Sequence, residues 1–395
     1  MTKQPGQGPV LIVAGTRPEV IKLAPVYHRA RLELGEQGVQ WISTGQHEKL
    51  ETDTLQSFQI TPSEELKVRD QGDSVLAVNE RVIRGLSEVI ADKKPAMVLV
   101  QGDTVSTFAA AFSAFHAEVP VAHVEAGLRT YSSRDPFPEE AYRRMIAPLA
   151  SVHFAPTGRA AQNLRSEGFA NDMVYVTGNT VVDSLRLVDE AAKQHATQMS
   201  YTQTPFKVAS GKRLVLVTLH RRESWGEPLR EMCLAIREIC ERFEDIEVVF
   251  PLHVNPLVRE VIQTILGDVP RIQLLPPLDY GSFHELIQRS CLILTDSGGI
   301  QEEAPSYGVP VLVLRRVTER QEAIDQGFAL LTGVEHQRII DDASRLLADK
   351  ELNSRLSGLP NPFGDGLASV RITTAIKRFL SGEKRLLAAD EQFSG

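Results

Sequence analysis

The chain reads as an α/β protein of two doubly wound domains, and three observations lead there. It has 395 residues, more than one hydrophobic core commonly organises, so two domains are expected. Short runs rich in β-branched residues alternate with longer helical stretches along its whole length. The alternation stops once, over a polar stretch from Lys193 to Arg213, and then resumes, as a linker between two β-α series would make it do.

Val10–Ala14 reads as a first buried strand. Val39–Ser43, Met97–Gln101, Val119–Val124 and Val174–Val176 follow it. Each is compact and apolar, as expected of parallel strands covered on both faces. The Ala- and Phe-rich stretch Val105–His116 suits a packed helix between two of them. Beyond the linker, Leu214–Thr218, Glu247–Phe250, Ile272–Leu275, Leu292–Thr295 and Val311–Leu314 read as strands. Glu227–Phe243 and His336–Asp349 fit as helices, and an amphipathic helix over Leu367–Leu380 closes the series.

Composition narrows the function. Hydrophobic residues make up 42% and charged residues 24%, ordinary for a folded soluble protein. The net charge of −8 argues against broad nucleic-acid binding, while leaving room for a local basic pocket. Cys233, Cys240 and Cys291 form no paired or CxxC pattern, so neither a disulfide framework nor a zinc site is expected. No run is apolar enough to span a bilayer, and Met1 to Pro9 does not read as a signal peptide, so a cytoplasmic protein is expected. No GxGxxG joins a strand to a helix and no Walker A run occurs, which leaves nicotinamide binding and P-loop hydrolysis unsupported.

In doubly wound sheets, ligands sit at the carboxyl ends of the strands. The first strand runs into Gly15-Thr-Arg-Pro-Glu19, where Arg17 opens a helix whose N-terminus attracts anions and Lys22 follows one turn on. Arg17 and Lys22 are either anion ligands or ordinary surface cations. Met97–Gln101 ends in Asp103 and Val119–Val124 ends in Glu125. Asp103 either joins a site or caps the next helix; Glu125 has no helix start immediately after it. Glu139 and Glu140 open another helix, where the dipole favours acids without any function. Carboxylates gathered on one site could exchange protons and stabilise a sugar cation. In the second half, His220 follows a strand beside two arginines. It is either a phosphate or proton-transfer residue or a hydrogen-bonded loop histidine. The strongest local pattern is Thr295-Asp-Ser-Gly-Gly299. A strand ends there, Ser297, Gly298 and Gly299 bring backbone N–H groups together, and a helix begins with Glu303 one turn along. That geometry suits a pyrophosphate, with Glu303 placed for ribose hydroxyls.

In order, these segments resemble the non-hydrolysing UDP-N-acetylglucosamine 2-epimerases. The likeness also takes in His123–Thr130, Pro138–Glu140, Thr177–Thr180, His220–Glu223, His253–Pro256, Thr295–Pro305, Thr318–Arg320 and Asn361–Gly366. The resemblance implies the glycosyltransferase-B architecture, two Rossmann-like domains with an interdomain cleft. The first would be 1–185 plus a returning C-terminal helix in 366–395, and the second, UDP-binding, 186–365. It implies reversible interconversion of UDP-N-acetylglucosamine and UDP-N-acetylmannosamine without a cofactor or metal. Asp103, Glu125 and Glu139 match the family's catalytic carboxylates and His220 its active-site histidine. Arg17, Lys22, Ser297, Gly298, Gly299, Glu303 and Arg320 match nucleotide-diphosphate contacts, and Phe283 a residue near the uracil. Gln46, His47 and His253 match the site of a second UDP-N-acetylglucosamine, an activator. A homodimer is implied as well. Tyr142 stands where the family usually has Asn, so a related 2-acetamido sugar is an alternative substrate. A glycosyltransferase of the same architecture, a hydrolysing relative and a UDP-sugar-binding module are the competing classes.

Overall fold

The structure is a computed structural model that describes residues 8–46, 48–68, 74–134, 136–196, 206–221, 224–253 and 255–395. It divides into two compact units, Met1–Leu187 with Phe363–Gly395, and Val188–Pro362. The first division falls inside a helix, Thr180–Ala196, so the linker expected over Lys193–Arg213 begins in its last turn. Residues 197–205 of that linker lie outside the described residues.

The first unit holds β1 (Val10–Ala14), β2 (Val39–Ser43), β3 (Glu64–Glu65), β4 (Met97–Gln101), β5 (Val121–Val124), β6 (Val152–Ala155) and β7 (Val174–Val176). They form one parallel sheet in the order β3-β2-β1-β4-β5-β6-β7. β1 and β4 are buried at every residue, which is why they read as unbroken apolar runs. β5 starts one residue after Pro120, which has no N–H to give the ladder, and not at Val119. β3 and β6 were not legible in the sequence, one being two acidic residues at an edge and the other a four-residue Val-His-Phe-Ala.

Helices cover this sheet for local reasons. Val75–Lys93 buries Val78, Val82, Leu86 and Ile90, one residue per turn. Ser74 caps it, accepting from the Ala77 N–H at 3.2 Å. In Val105–His116 the side chains of Ala109, Ala110 and Ala111 are fully buried, and their small size lets the helix lie close against the sheet and Val75–Lys93. The final helix, Ala368–Leu380, begins one residue later than read and packs on Arg17–Leu34.

The second unit holds β8 (Arg213–Thr218), β9 (Ile246–Pro251), β10 (Ile272–Leu275), β11 (Ser290–Thr295), β12 (Val311–Val313) and β13 (Ala329–Leu331). Their order is β10-β9-β8-β11-β12-β13, again all parallel. Strands β8, β9 and β11 and helices Glu227–Arg242, Pro256–Leu266 and His336–Ala348 share one core. β13, three residues at the sheet edge, was the strand missed here. The three cysteines are unpaired. Among the described residues no helix is long and apolar enough to cross a membrane.

Candidate functional site

Each sheet reverses its strand order once: between β1 and β4 in the first unit, and between β8 and β11 in the second. At such a switch point the two outgoing loops diverge and leave a crevice at the carboxyl edge. Nearly all the candidate residues follow these four strands or a neighbour.

In the first unit the crevice is braced by a residue that the sequence reading gave no role. Glu19, buried to 1% exposure, accepts from the Gly15 N–H at 3.0 Å and from the hydroxyls of Thr16, Thr104 and Thr107 at 2.7, 2.6 and 2.8 Å. It thereby ties the loop after β1 to the loop after β4. Burial raises its pKa against the opposing effect of these donors. Thr104, and not Asp103, caps helix Val105–His116, in a reciprocal box with Thr107. The capping alternative for Asp103 is therefore excluded. Its carboxylate instead accepts from Arg143 Nε at 2.7 Å, with the Asp103 side chain 21% exposed.

Arg143 comes from helix Glu139–Ile146, and its Nη1 also meets Glu140 at 3.2 Å. The two acids that open this helix divide. Glu140 is fully buried and accepts from the Thr130 and Tyr131 amides at 3.1 and 3.2 Å, so it holds the preceding loop. Glu139 stays half-buried. Tyr142 stacks on Phe108 and accepts from Asn79 at 3.0 Å.

Glu125 directly follows β5, in register beside the end of β4, so Asp103 and Glu125 leave adjacent strands. Its φ of 63° is left-handed, a strained conformation for a non-glycine residue. The carboxylate is held by Lys22 and by Asn179 Nδ2 at 2.9 Å, both on Oε2. Lys22 is thus a partner of a carboxylate in the first unit, and Arg17 stands half-buried at the start of its helix. His123 lies beneath, its Nε2 bonded to the Gly102 carbonyl at 2.8 Å. Burial pushes its pKa down to about 4. Gln46 accepts from Ser106 at 2.9 Å; His47 lies outside the described residues.

In the second unit Asp296 organises the crevice. Its carboxylate is fully buried and accepts from the amides of His220 (2.9 and 3.1 Å) and Arg221 (2.9 Å). It also meets His220 Nδ1 at 3.0 Å. Burial would raise its pKa, but the His220 imidazole and these donors outweigh it, and the net shift is downward. Asp296 thus orients His220, whose side chain is 39% exposed, and fixes which ring nitrogen faces away from it. His253 stacks at 6.2 Å from the His220 ring. Helix Gly298–Glu303 starts at the Ser-Gly-Gly turn. Arg320 lies directly against it: a Cβ on Gly298 would fall 2.9 Å from the guanidinium carbon. Arg320 is gripped by Glu302, at 2.8 and 2.9 Å, and by Glu319. Glu303 is buried to 7%, its Oε1 3.7 Å from where a Gly299 Cβ would sit. Phe283 is half-buried on helix Tyr280–Arg289.

Asp103, Glu125, Glu139, Arg17, Lys22 and Gln46 thus belong to the first unit, and His220, Phe283, Ser297, Gly298, Gly299, Glu303, Arg320 and His253 to the second. Arg143, Asn179 and Glu302 were missed as partners because their contacts join segments far apart in the chain or depend on which way a helix faces; Glu319, next to Arg320 in the chain, was missed because sequence adjacency alone does not show which way its side chain turns. Asp296 sat inside the quoted Ser-Gly-Gly run and could have been found there as a buried acid before a turn. Among the described residues no cluster of three or more His, Cys, Asp or Glu is arranged to hold a metal ion.

Two Rossmann-like units in one chain define an α/β protein of the glycosyltransferase-B class. At the level of fold alone, the chain is similar to the crystal structure of the glycotransferase of kitacinnamycin, with a TM-score of 0.62 at 14% identity over 95% of this chain and 99% of that one. Residues 33–377 match the family model described as UDP-N-acetylglucosamine 2-epimerase. The chain is 42% identical to UDP-N-acetylglucosamine 2-epimerase of Escherichia coli K12, over 93% of this chain and 98% of that protein. Among solved structures, that of the UDP-GlcNAc 2-epimerase from Neisseria meningitidis bound to UDP-GlcNAc has a TM-score of 0.87 at 41% identity, covering 94% and 99% of the two chains. The enzyme from Methanocaldococcus jannaschii in complex with UDP-GlcNAc and UDP has a TM-score of 0.78 at 30% identity, covering 93% and 99%. This chain belongs to the UDP-N-acetylglucosamine 2-epimerase family.

Proposed function

We propose that this protein inverts carbon 2 of UDP-N-acetylglucosamine, reversibly giving UDP-N-acetylmannosamine, by elimination and re-addition of UDP. Family membership across residues 33–377 carries the reading, and the paired strand-end carboxylates Asp103 and Glu125 are the groups it needs. Carbon 2 has no adjacent carbonyl, so direct removal of its proton is slow. If the C1–O bond breaks first, UDP leaves with the electron pair and the anomeric carbon becomes cationic. The neighbouring proton is then acidic, and a carboxylate takes it to leave a glycal. A proton returned to the opposite face of carbon 2, with attack of the UDP oxygen on carbon 1, completes inversion. The electrons balance without a redox partner.

In this route Asp103, Glu125 and Glu139 act on the sugar, and His220 exchanges a proton or contacts phosphate. Ser297, Gly298, Gly299, Arg17, Lys22 and Arg320 stabilise the leaving diphosphate. Glu303 takes the ribose and Phe283 lies near the uracil. A related UDP-2-acetamido sugar is the alternative substrate, suggested by Tyr142. Gln46, His47 and His253 would receive a second UDP-N-acetylglucosamine as activator, in a cytoplasmic homodimer. A hyperbolic substrate curve would remove the activator, and a monomer mass by light scattering would remove the dimer.

The main test is NMR of UDP-N-acetylglucosamine with the protein in heavy water. The manno epimer should appear with deuterium at carbon 2. Isomerisation without deuterium would overturn the mechanism, and free N-acetylmannosamine would point to hydrolysis.

A further inference from the structure

The chain does not end with helix Ala368–Leu380. It turns at Gly382 and returns along the first unit, burying Leu386 and Leu387 to 3% and 1% exposure. The family match stops at residue 377, so this returning segment lies beyond it. Its anchors are specific. Leu386 N–H donates to Tyr175 Oη at 3.1 Å. Arg378 holds Glu391 through two bonds of 2.6 and 2.8 Å. At edge strand β7, the Val176 N–H donates to Gln392 Oε1 at 3.0 Å, and the Val176 carbonyl accepts from the Phe393 N–H at 2.9 Å. The segment therefore satisfies backbone groups that an edge strand leaves unpaired.

The next three residues of the chain lead into the candidate site. Arg371, which reaches the Glu391 carbonyl at 2.9 Å and lies 5.8 Å from the Phe393 ring centroid, donates to the Thr177 carbonyl at 3.1 Å. Gly178, at φ 85°, packs directly against the segment: a Cβ there would lie in van der Waals contact, 3.6 Å from the Phe393 ring and 3.4 Å from Gly364. Asn179, 2% exposed, donates its N–H to the Phe363 carbonyl at 2.6 Å. Its Oδ1 accepts from the Val181 N–H at 3.0 Å, which turns its Nδ2 toward Glu125. One face of the loop is thus set by the returning segment and the other meets the Glu125 carboxylate.

We propose that Leu386–Phe393 is a positioning strap for Glu125, acting through the Thr177–Asn179 loop, with Asn179 the residue that transmits it. This rests on the reading of Glu125 as a carboxylate acting on the sugar. Asn179 and the strap do not add a reacting group; they hold an existing one against its strained backbone. Misplacement of such a group by about 1 Å can cost about 100-fold in rate.

The test is steady-state epimerisation of UDP-N-acetylglucosamine by the full-length chain and five variants: Glu125→Gln, Asn179→Ala, the double Gln392→Ala/Phe393→Ala, that double combined with Asn179→Ala, and Phe393→Tyr. Rates are taken per folded molecule, from near-UV circular dichroism and melting temperature. Asn179→Ala should lower kcat about 10- to 100-fold and the strap double about 5-fold, with KM changed less than about 2-fold. The combined variant should lose no more than Asn179→Ala alone. Phe393→Tyr, which keeps the ring, should keep kcat. An unchanged kcat in the strap double, or a combined loss equal to the product of the separate ones, overturns the strap. If the double does not fold, Gln392→Ala alone is read by the same criteria. Full turnover in Glu125→Gln instead overturns the underlying reading of Glu125, whatever the strap variants do.

Discussion

Asp103 and Glu125 hold contrasting partners although they leave neighbouring strands. Asp103 is partly exposed and meets a guanidinium, whereas Glu125 is buried to 9% and meets an ammonium and an amide on one oxygen. Both should be needed for proton transfer. Asp103→Asn and Glu125→Gln should each cut kcat by about 10²- to 10⁴-fold, read by the heavy-water NMR assay, with the fold retained by circular dichroism. Gly298 is required for a different reason. Arg320 is pinned by Glu302 and Glu319, so it cannot retreat from a new methyl group 2.9 Å away. Gly298→Ala should raise KM about tenfold and lower kcat less, as expected when an anion-binding turn is pushed out of place. The Ser-Gly-Gly signal was legible because its residues are consecutive. The arginine behind it was legible only as a motif, and its two acidic partners were not.

Among the elements, helix Val105–His116 was readable to its ends because Thr104 is a good cap and the small apolar residues begin at once. That cap does two things: it accepts from the Thr107 N–H at 3.2 Å and it donates to Glu19. Thr104→Ala should therefore cost about 1–2 kcal/mol by urea denaturation, toward the upper end of the range for a lost cap. A loss well below this would mean that Glu19 is satisfied without Thr104. The long central strands were likewise readable, since burial on both faces leaves no polar residue to interrupt them. The edge strands β3 and β13 and the short β6 were not. β3 is two acidic residues with no apolar run at all. β6, Val-His-Phe-Ala, has one β-branched residue and β13, Ala-Leu-Leu, has none, against the two valines that marked the similarly short Val174–Val176.

For the molecule as a whole, several buried ionisable groups make stability depend on pH in opposite directions. Glu51 is 1% exposed and accepts from the Ser43 hydroxyl. Burial, with Glu19 and Glu65 nearby, pushes its pKa up to about 7 against the effect of that donor. The folded chain thus keeps a proton there that the unfolded chain releases near 4.5. Stability is fully present below about 4.5 and is lost as pH rises through 7. A difference of that size corresponds to about 3 kcal/mol. The buried His123 and His153 act oppositely, with burial lowering their pKa to about 4 and about 3. The unfolded chain takes up their protons below 6.5 while the folded chain does not, so they remove stability as pH falls. Glu51→Gln should make the decline of stability between pH 5 and 8 shallower, measured by urea midpoints, while Glu19, whose pKa burial also raises, keeps its own contribution and the histidines keep theirs on the acid side. A decline of undiminished slope in that variant would assign it to other groups.

The amino-acid order alone determined that there are two β-α series, where most of their central strands run, and which acids, glycines and basic residues leave the strand ends. These follow from local composition: apolar runs, turn residues and caps act over a few positions, and a strand end is placed by where its run stops. Tertiary structure decided the partners. It set Arg143 on Asp103, Asn179 and Lys22 on Glu125, Asp296 on His220, and the pair Glu302 and Glu319 on Arg320. It also separated Glu139 from the buried Glu140 and brought the last residues of the chain back to β7. Most of these contacts join segments tens to hundreds of positions apart, and only parallel packing, which lays successive strands side by side with their carboxyl ends together, brings such segments within hydrogen-bonding distance.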